Sequence, residues 1–128
     1  MKFKKLNVNP KNKKTGDCVI RALSLGLNKD YWQVVDDLMQ VYKKTGHIIN
    51  EKQCFKKYLQ NLGYEMQKMP RRENKTRYTL YAFIEEIAKS GETYLVLVAN
   101  HITCVKGKTL YDLWDCSCKY VGNYWIIK

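Results

Sequence analysis

Cys18, His101 and Asp112 are of the residue types that combine into a thiol-based catalyst. A cysteine nucleophile needs a lowered pKa, a nearby base, and donors for the oxyanion that forms when a carbonyl is attacked. Cys18 falls at the first turn of a predicted helix, where the helix N-terminus favours a thiolate. Gly16, just before it, lets the preceding loop turn sharply and lets a substrate backbone approach. Taken alone, Cys18 reads better as a small core residue, as free cysteines often are. Its partners decide between the two.

His101 is one of two histidines and opens a predicted strand. Lys106-Gly107-Lys108 supplies a tight turn, and Asp112 lies on the strand that follows. With Lys106-Gly107 as the loop, His101 faces Asp112 directly. With Gly107-Lys108 as the loop, Asp112 faces Thr103, on the same sheet face and one step from His101. Either register lets the carboxylate orient the imidazole, whereas a three-residue loop would turn Asp112 to the other face. Asp115 is the rival carboxylate and has the opposite strand parity. Asn12, six residues before Cys18 (18 − 12 = 6), has a side-chain amide suited to oxyanion binding with the Cys18 backbone N–H. The second histidine, His47, follows a helix terminator at Gly46 and is assigned no role. A zinc site from His101, Cys104, Cys116 and Cys118 has suitable ligand types but poor spacing, and His101 and Cys104 point to opposite strand faces. No cofactor or metal is therefore expected.

The elements that must position these residues follow from hydrophobic periodicity. The chain begins extended up to Asn9-Pro10, and a lysine-rich loop ends at Asp17. From Cys18 through Leu25 apolar residues cover nearly the whole circumference, the mark of a buried central helix. A second helix is predicted from Asp30, with Gln33 completing a capping box and Trp32, Val35, Met39 and Tyr42 as its apolar face. A third is predicted from Asn50, with Phe55, Leu59 and Leu62 facing inward and Gly63 ending it. Tyr64 to Met69 reads as a short strand. A fourth helix follows Thr79 and stops at Gly91. The period then changes to strands at 94–98, 101–105, 109–114 and 120–127. Helices followed by an antiparallel sheet make an α+β fold.

The chain of 128 residues fits one domain, 1–128, with no repeat or linker. Five cysteines without a regular framework suit a reducing, cytoplasmic setting. No signal segment is visible, and the longest uncharged run, Thr93 to Val105, is 13 residues, short of the roughly 20 of a membrane span. The net charge of +11 concentrates at residues 1–16, with six lysines and no acid before Asp17, and at 71–77, with Arg71, Arg72, Lys75 and Arg77 against Glu73. Such patches suit nucleic acid or an acidic protein partner, and equally a merely solvated surface. No recognised nucleic-acid motif accompanies them.

The text Asn12-Lys13-Lys14-Thr15-Gly16-Asp17-Cys18, then His101-Ile102-Thr103-Cys104-Val105, then Leu110-Tyr111-Asp112, resembles the papain-like cysteine peptidases. It is most similar to the leader-peptidase domains of bacteriocin-exporting transporters and to small phage and bacterial proteins of that build. In those domains an amide residue precedes an acid and then the cysteine, which opens a central helix. The resemblance spans residues 12–25 and 94–115; between 28 and 91 only generic helical agreement remains. It departs from the family in carrying Asn12 where Gln is usual, and in a His101-to-Asp112 spacing of only 11 (112 − 101). The resemblance implies a papain-like fold, with the central helix packed on the sheet. It also implies acyl transfer to Cys18, with His101 as base, Asp112 as its orienter and Asn12 at the oxyanion. The substrate would be a peptide, a protein or a small amide, in the host cytoplasm if the protein is phage-encoded. Two other readings stand beside it: an inactive papain-like module that blocks or sequesters a host factor or ligand, and a basic nucleic-acid-binding domain.

Overall fold

Nearly continuous apolar sequence after Asp17 forms α1 (Cys18–Leu27), which buries Val19, Ala22, Leu23 and Gly26. A computed structural model describes residues 1–128 and holds four helices and one five-stranded sheet, an α+β arrangement. At Gly26 a Cβ would stand 2.6 Å from Leu95 Cδ2, so the missing side chain is what lets α1 lie close on the sheet.

The second helix, α2 (Tyr31–Thr45), is capped by the Asp30 carboxylate, which accepts the Gln33 N–H at 3.1 Å. The predicted capping box is only half made, because the Gln33 amide donates forward to Asp37 at 2.8 Å. The buried face is Tyr31, Val34, Leu38 and Val41, which corrects the expected stripe of Trp32, Val35, Met39 and Tyr42. The two stripes differ by one residue, or about 100° of rotation, and both have helical spacing. Trp32 is 48% exposed. The next helix, α3 (Lys52–Asn61), begins two residues later than predicted, buries Cys54, Phe55, Tyr58 and Leu59, and leaves Leu62 exposed. Tyr64 to Met69 forms no strand and contributes one bridge, Gln67 to Tyr124. The last helix, α4 (Leu80–Glu86), is capped by the Thr79 hydroxyl, which accepts the Ala82 N–H at 3.1 Å.

The strands are β1 (Lys2–Lys5), β2 (Thr93–Val98), β3 (His101–Lys106), β4 (Thr109–Asp112) and β5 (Val121–Ile127), in the order β1-β4-β3-β2-β5. The sheet is mixed rather than antiparallel, because β1 pairs parallel to β4 with Lys5 opposite Asp112. Its exposed lysines carry no alternation that would mark an edge strand in the sequence. Helices α1 to α3 cover one face over Leu95, Ile102, Cys104 and Trp125. Helix α4 covers the other over Tyr94, Val96, Val98, Val105 and Leu110. No helix is long and apolar enough to cross a membrane.

Two irregularities shape the site end of the sheet. Hairpin β3–β4 pairs Lys106 with Thr109 and Cys104 with Tyr111, so the loop is Gly107-Lys108, with Gly107 at φ 61°. That register sets Asp112 one step from His101 on the same face. Strand β5 bulges where it passes β2, placing Gly122 and Asn123 opposite Leu97 alone.

Candidate active site

His101 begins β3 and Asp112 ends β4, so an antiparallel hairpin brings both to one end of the sheet. There His101 Nε2 lies 2.6 Å from Asp112 Oδ2. Asp112 is buried at 2% exposure and also accepts Arg21 Nη1 at 3.2 Å and the Leu113 N–H at 2.7 Å. Burial raises the Asp112 carboxyl, but the bonds from His101, Thr103 and Leu113 and the His101 charge outweigh it and hold the pKa below the usual range. An ionised carboxylate only accepts, so Nε2 carries the proton and Nδ1 is left for the thiol.

Cys18 is half-buried at the first position of α1 and lines the same groove as His101. Burial raises its thiol. A hydrogen bond with the His101 ring, a backbone bond from Ile102, and the charges of His101 and Arg21 together lower it further, to a net value below that of a free cysteine. For His101, burial lowers the pKa, but the bonds to Asp112, Cys116 and Cys18 and the Asp112 charge push it up to about 11. A thiol lowered and an imidazole raised, each with the other among its causes, is the direction of shift that a thiolate–imidazolium pair requires. The Trp114 indole lies against the ring, with centroids 5.2 Å apart.

Arg21, read in the sequence only as an interruption of an apolar helix, joins the two halves of the site. It lies three residues after Cys18 on α1 (21 − 18 = 3), roughly one turn on. Its Nε donates to Asp17 at 2.8 Å and its Nη1 to Asp112 at 3.2 Å, with all three side chains buried. Asp17 is held further by the Tyr31 hydroxyl at 2.8 Å and the Asn9 amide at 3.0 Å. This occupation explains why Asp17 precedes α1 without capping it through its side chain. The result is an alternating series of charge, Asp17 negative, Arg21 positive, Asp112 negative and His101 positive, with the Cys18 thiol at its end. A cation four residues after an acid and three after a cysteine was the available sequence signal.

Asn12 is not brought to the groove. It is exposed at φ 53°, in a turn closed by its N–H to the Asn9 carbonyl. Pinning of Asn9 to Asp17 holds that loop outward. Asp115 is also exposed and accepts only the Ser117 N–H, at 3.0 Å. The groove, about 530 Å³, runs from Gly16 and Cys18 past Asn50, Asn100 and His101 to Gly122. Asn50 donates through Nδ2 to the Gly16 carbonyl at 3.3 Å.

Of the metal-ligating types, His101, Asp112 and Cys116 place one ligand atom each within 4.8 Å of one another. Cys104 and Cys118 do not join this cluster; the first is buried and the second exposed. Arg21 and His101 already occupy the Asp112 carboxylate, so the group is assembled for a hydrogen-bonded acid–base pair. Compared with known protein families, curated proteins and solved structures, the chain has no match in any of the three.

Proposed function

We propose that the protein is a papain-like cysteine hydrolase acting on peptide or amide bonds. The 2.6 Å contact of His101 with a buried, ionised Asp112, beside a thiol held below its ordinary pKa, carries the reading. Cys18 attacks the carbonyl as the thiolate, and the C–S bond forms as the carbonyl electrons move to oxygen. His101 delivers its Nδ1 proton to the leaving amine as the C–N bond breaks. Water, deprotonated by His101, then cleaves the thioester and restores the thiol. Asp112 keeps Nδ1 turned to the sulfur. The Cys18 N–H opens α1 without an intrahelical acceptor and is one oxyanion donor. The groove-lining Asn50 amide is the second, in place of Asn12.

The test is the rate of Cys18 alkylation by iodoacetamide from pH 5 to 9, located by mass spectrometry, with His101→Ala alongside. Fast reaction below pH 7 that is lost in the variant is the expected result. Ordinary or buried-thiol behaviour in both would leave the fold as a binding module.

A further inference from the structure

The groove that exposes Cys18 continues to the β5 bulge, and its lining holds, besides His101, two basic side chains, Lys52 and Arg77, and no carboxylate. Both cations are held in place by neutral oxygens. Lys52 Nζ donates to Asn123 Oδ1 at 2.7 Å, and Arg77 Nη2 donates to the Val121 carbonyl at 3.2 Å. The Arg77 guanidinium also lies over the Tyr120 ring, 5.5 Å from its centroid. Elsewhere on the surface, Lys29 pairs with Asp37 and Arg72 with Glu86. At the groove no acidic side chain pairs with either cation, although both reach it from different elements, α3 and the loop before α4.

The backbone between thiol and cations is shaped for an extended chain. A Cβ at Gly16 would meet nothing within 4 Å, so the approach beside Cys18 is open. At the far end the bulge places Gly122 over Leu97, where it adds no side chain to the floor. A peptide lying here would meet open backbone near the thiol and two unpaired positive charges further along.

We propose that the groove binds a peptide segment bearing acidic residues, whose carboxylates pair with Arg77 and Lys52 while the adjoining backbone lies beside Cys18. This names the substrate class for the hydrolase reading and rests on it for cleavage, while the binding itself does not. A guanidinium offers a carboxylate two parallel donors, and the ammonium adds a point charge. Both cations are exposed, so each contributes modestly and the pair is salt-sensitive. The groove lining has no exposed aromatic platform on which a nucleic acid base would stack.

The test uses the full-length chain carrying Cys18→Ala, so that bound peptide persists. Binding of Ac-Glu-Glu-Ala-Ala-NH2 and Ac-Gln-Gln-Ala-Ala-NH2 is followed by amide chemical shifts in ¹⁵N spectra. The Glu peptide is expected to bind about fivefold more tightly at low salt, with shifts at Gly16, Asn100 and Gly122. That preference should vanish in Arg77→Gln/Lys52→Gln, whose spectrum elsewhere stays unchanged, and should shrink from about 0.05 M to about 0.5 M NaCl. Equal affinity of the two peptides, shifts centred on the N-terminal lysines, or a preference surviving in the double variant would each overturn the proposal. So would an oligothymidylate that displaces the Glu peptide from the same amides at lower concentration. If the Glu peptide binds as expected while Cys18 of the unmodified chain alkylates like a free thiol, the acidic-segment site stands and the hydrolase reading falls.

Discussion

Replacing Asp112 by Asn removes one charge at nearly constant volume and probes the pair directly. Asp112 takes four hydrogen bonds in the structure, from His101, Arg21, the Leu113 N–H and, at 4.0 Å, the Cys116 thiol, of which the one from His101 is the shortest at 2.6 Å. Arg21 keeps its bond to Asp17 at 2.8 Å, so the helix anchor survives the change. A hydrogen bond to a charged partner contributes roughly 1.5–3 kcal/mol, equivalent to about 10- to 150-fold in the population of the imidazolium. With the carboxylate gone, His101 loses the first of the contacts that raise it to about 11. Cys18 in turn loses the cation that lowers it. The sign is fixed. In the native protein the thiolate persists as pH falls, down to the depressed thiol value; in Asp112→Asn it appears only at higher pH. The midpoint of the pH profile for iodoacetamide alkylation should move to the alkaline side. The rate at pH 6 should drop about tenfold or more, with the two profiles converging above about pH 9. Superimposable profiles for Asp112→Asn and native protein, with His101→Ala still shifted, would refute the role given to Asp112.

Arg21→Met leaves Asp17 buried without its cation and Asp112 with His101 alone, and should destabilise the fold by about 3 kcal/mol in chemical denaturation. Asp112 keeps the His101, Thr103 and Leu113 contacts that hold it low, whereas the Asp17 carboxyl rises once Arg21 no longer offsets its burial, so the penalty, full at pH 8, should lessen as pH falls into the carboxyl range, a trend thermal melts would check. Asp115→Asn should leave the alkylation profile of Cys18 unchanged, since its carboxylate meets only the Ser117 N–H. Gly26→Ala should lower stability by about 1–2 kcal/mol, because the packing clash with Leu95 exceeds the gain of up to about 1 kcal/mol in helix propensity; urea unfolding at constant m would show it.

The parts of this fold that a linear reading captures are those where one physical rule acts alone. The turn at Gly91, at φ 84°, and the short loop at Gly107 come from backbone conformations that few residues adopt, although α4 ends at Glu86, before the stop predicted at Gly91. The all-round apolar pattern after Asp17 admits only a buried helix. Helix α2 offered two apolar stripes of equal period, and the heavier one, with Trp32, is the wrong face, because the tertiary partner and not hydrophobicity chooses between them. The extended start of the chain was legible, but its pairing with β4 was not, because its lysines stay exposed and the partner strand is remote in sequence. Within the site, parity and turn length were enough to set Asp112 near His101. Arg21 was missed because a lone cation in an apolar helix has meaning only once two buried carboxylates converge on it. Asn12 was placed by its separation from Cys18, but loop conformation, fixed here by Asn9, decides where such a residue goes.

Placing the sulfur on α1 and its base on β3 has a consequence for synthesis. The two are 83 residues apart (101 − 18), with three helices and a strand between them. At roughly 5–20 residues per second, the ribosome adds His101 about 4–17 s after Cys18. Until then the emerging chain carries a thiol with neither imidazole nor carboxylate beside it. Closure of so long a loop is also slow, since its entropy must be lost before the contacts that reward it form. On the proposed hydrolase reading, nucleophilic power therefore arises only when hairpin β3–β4 closes, after α2, α3 and α4 have been made and have had time to bury their own peptide bonds.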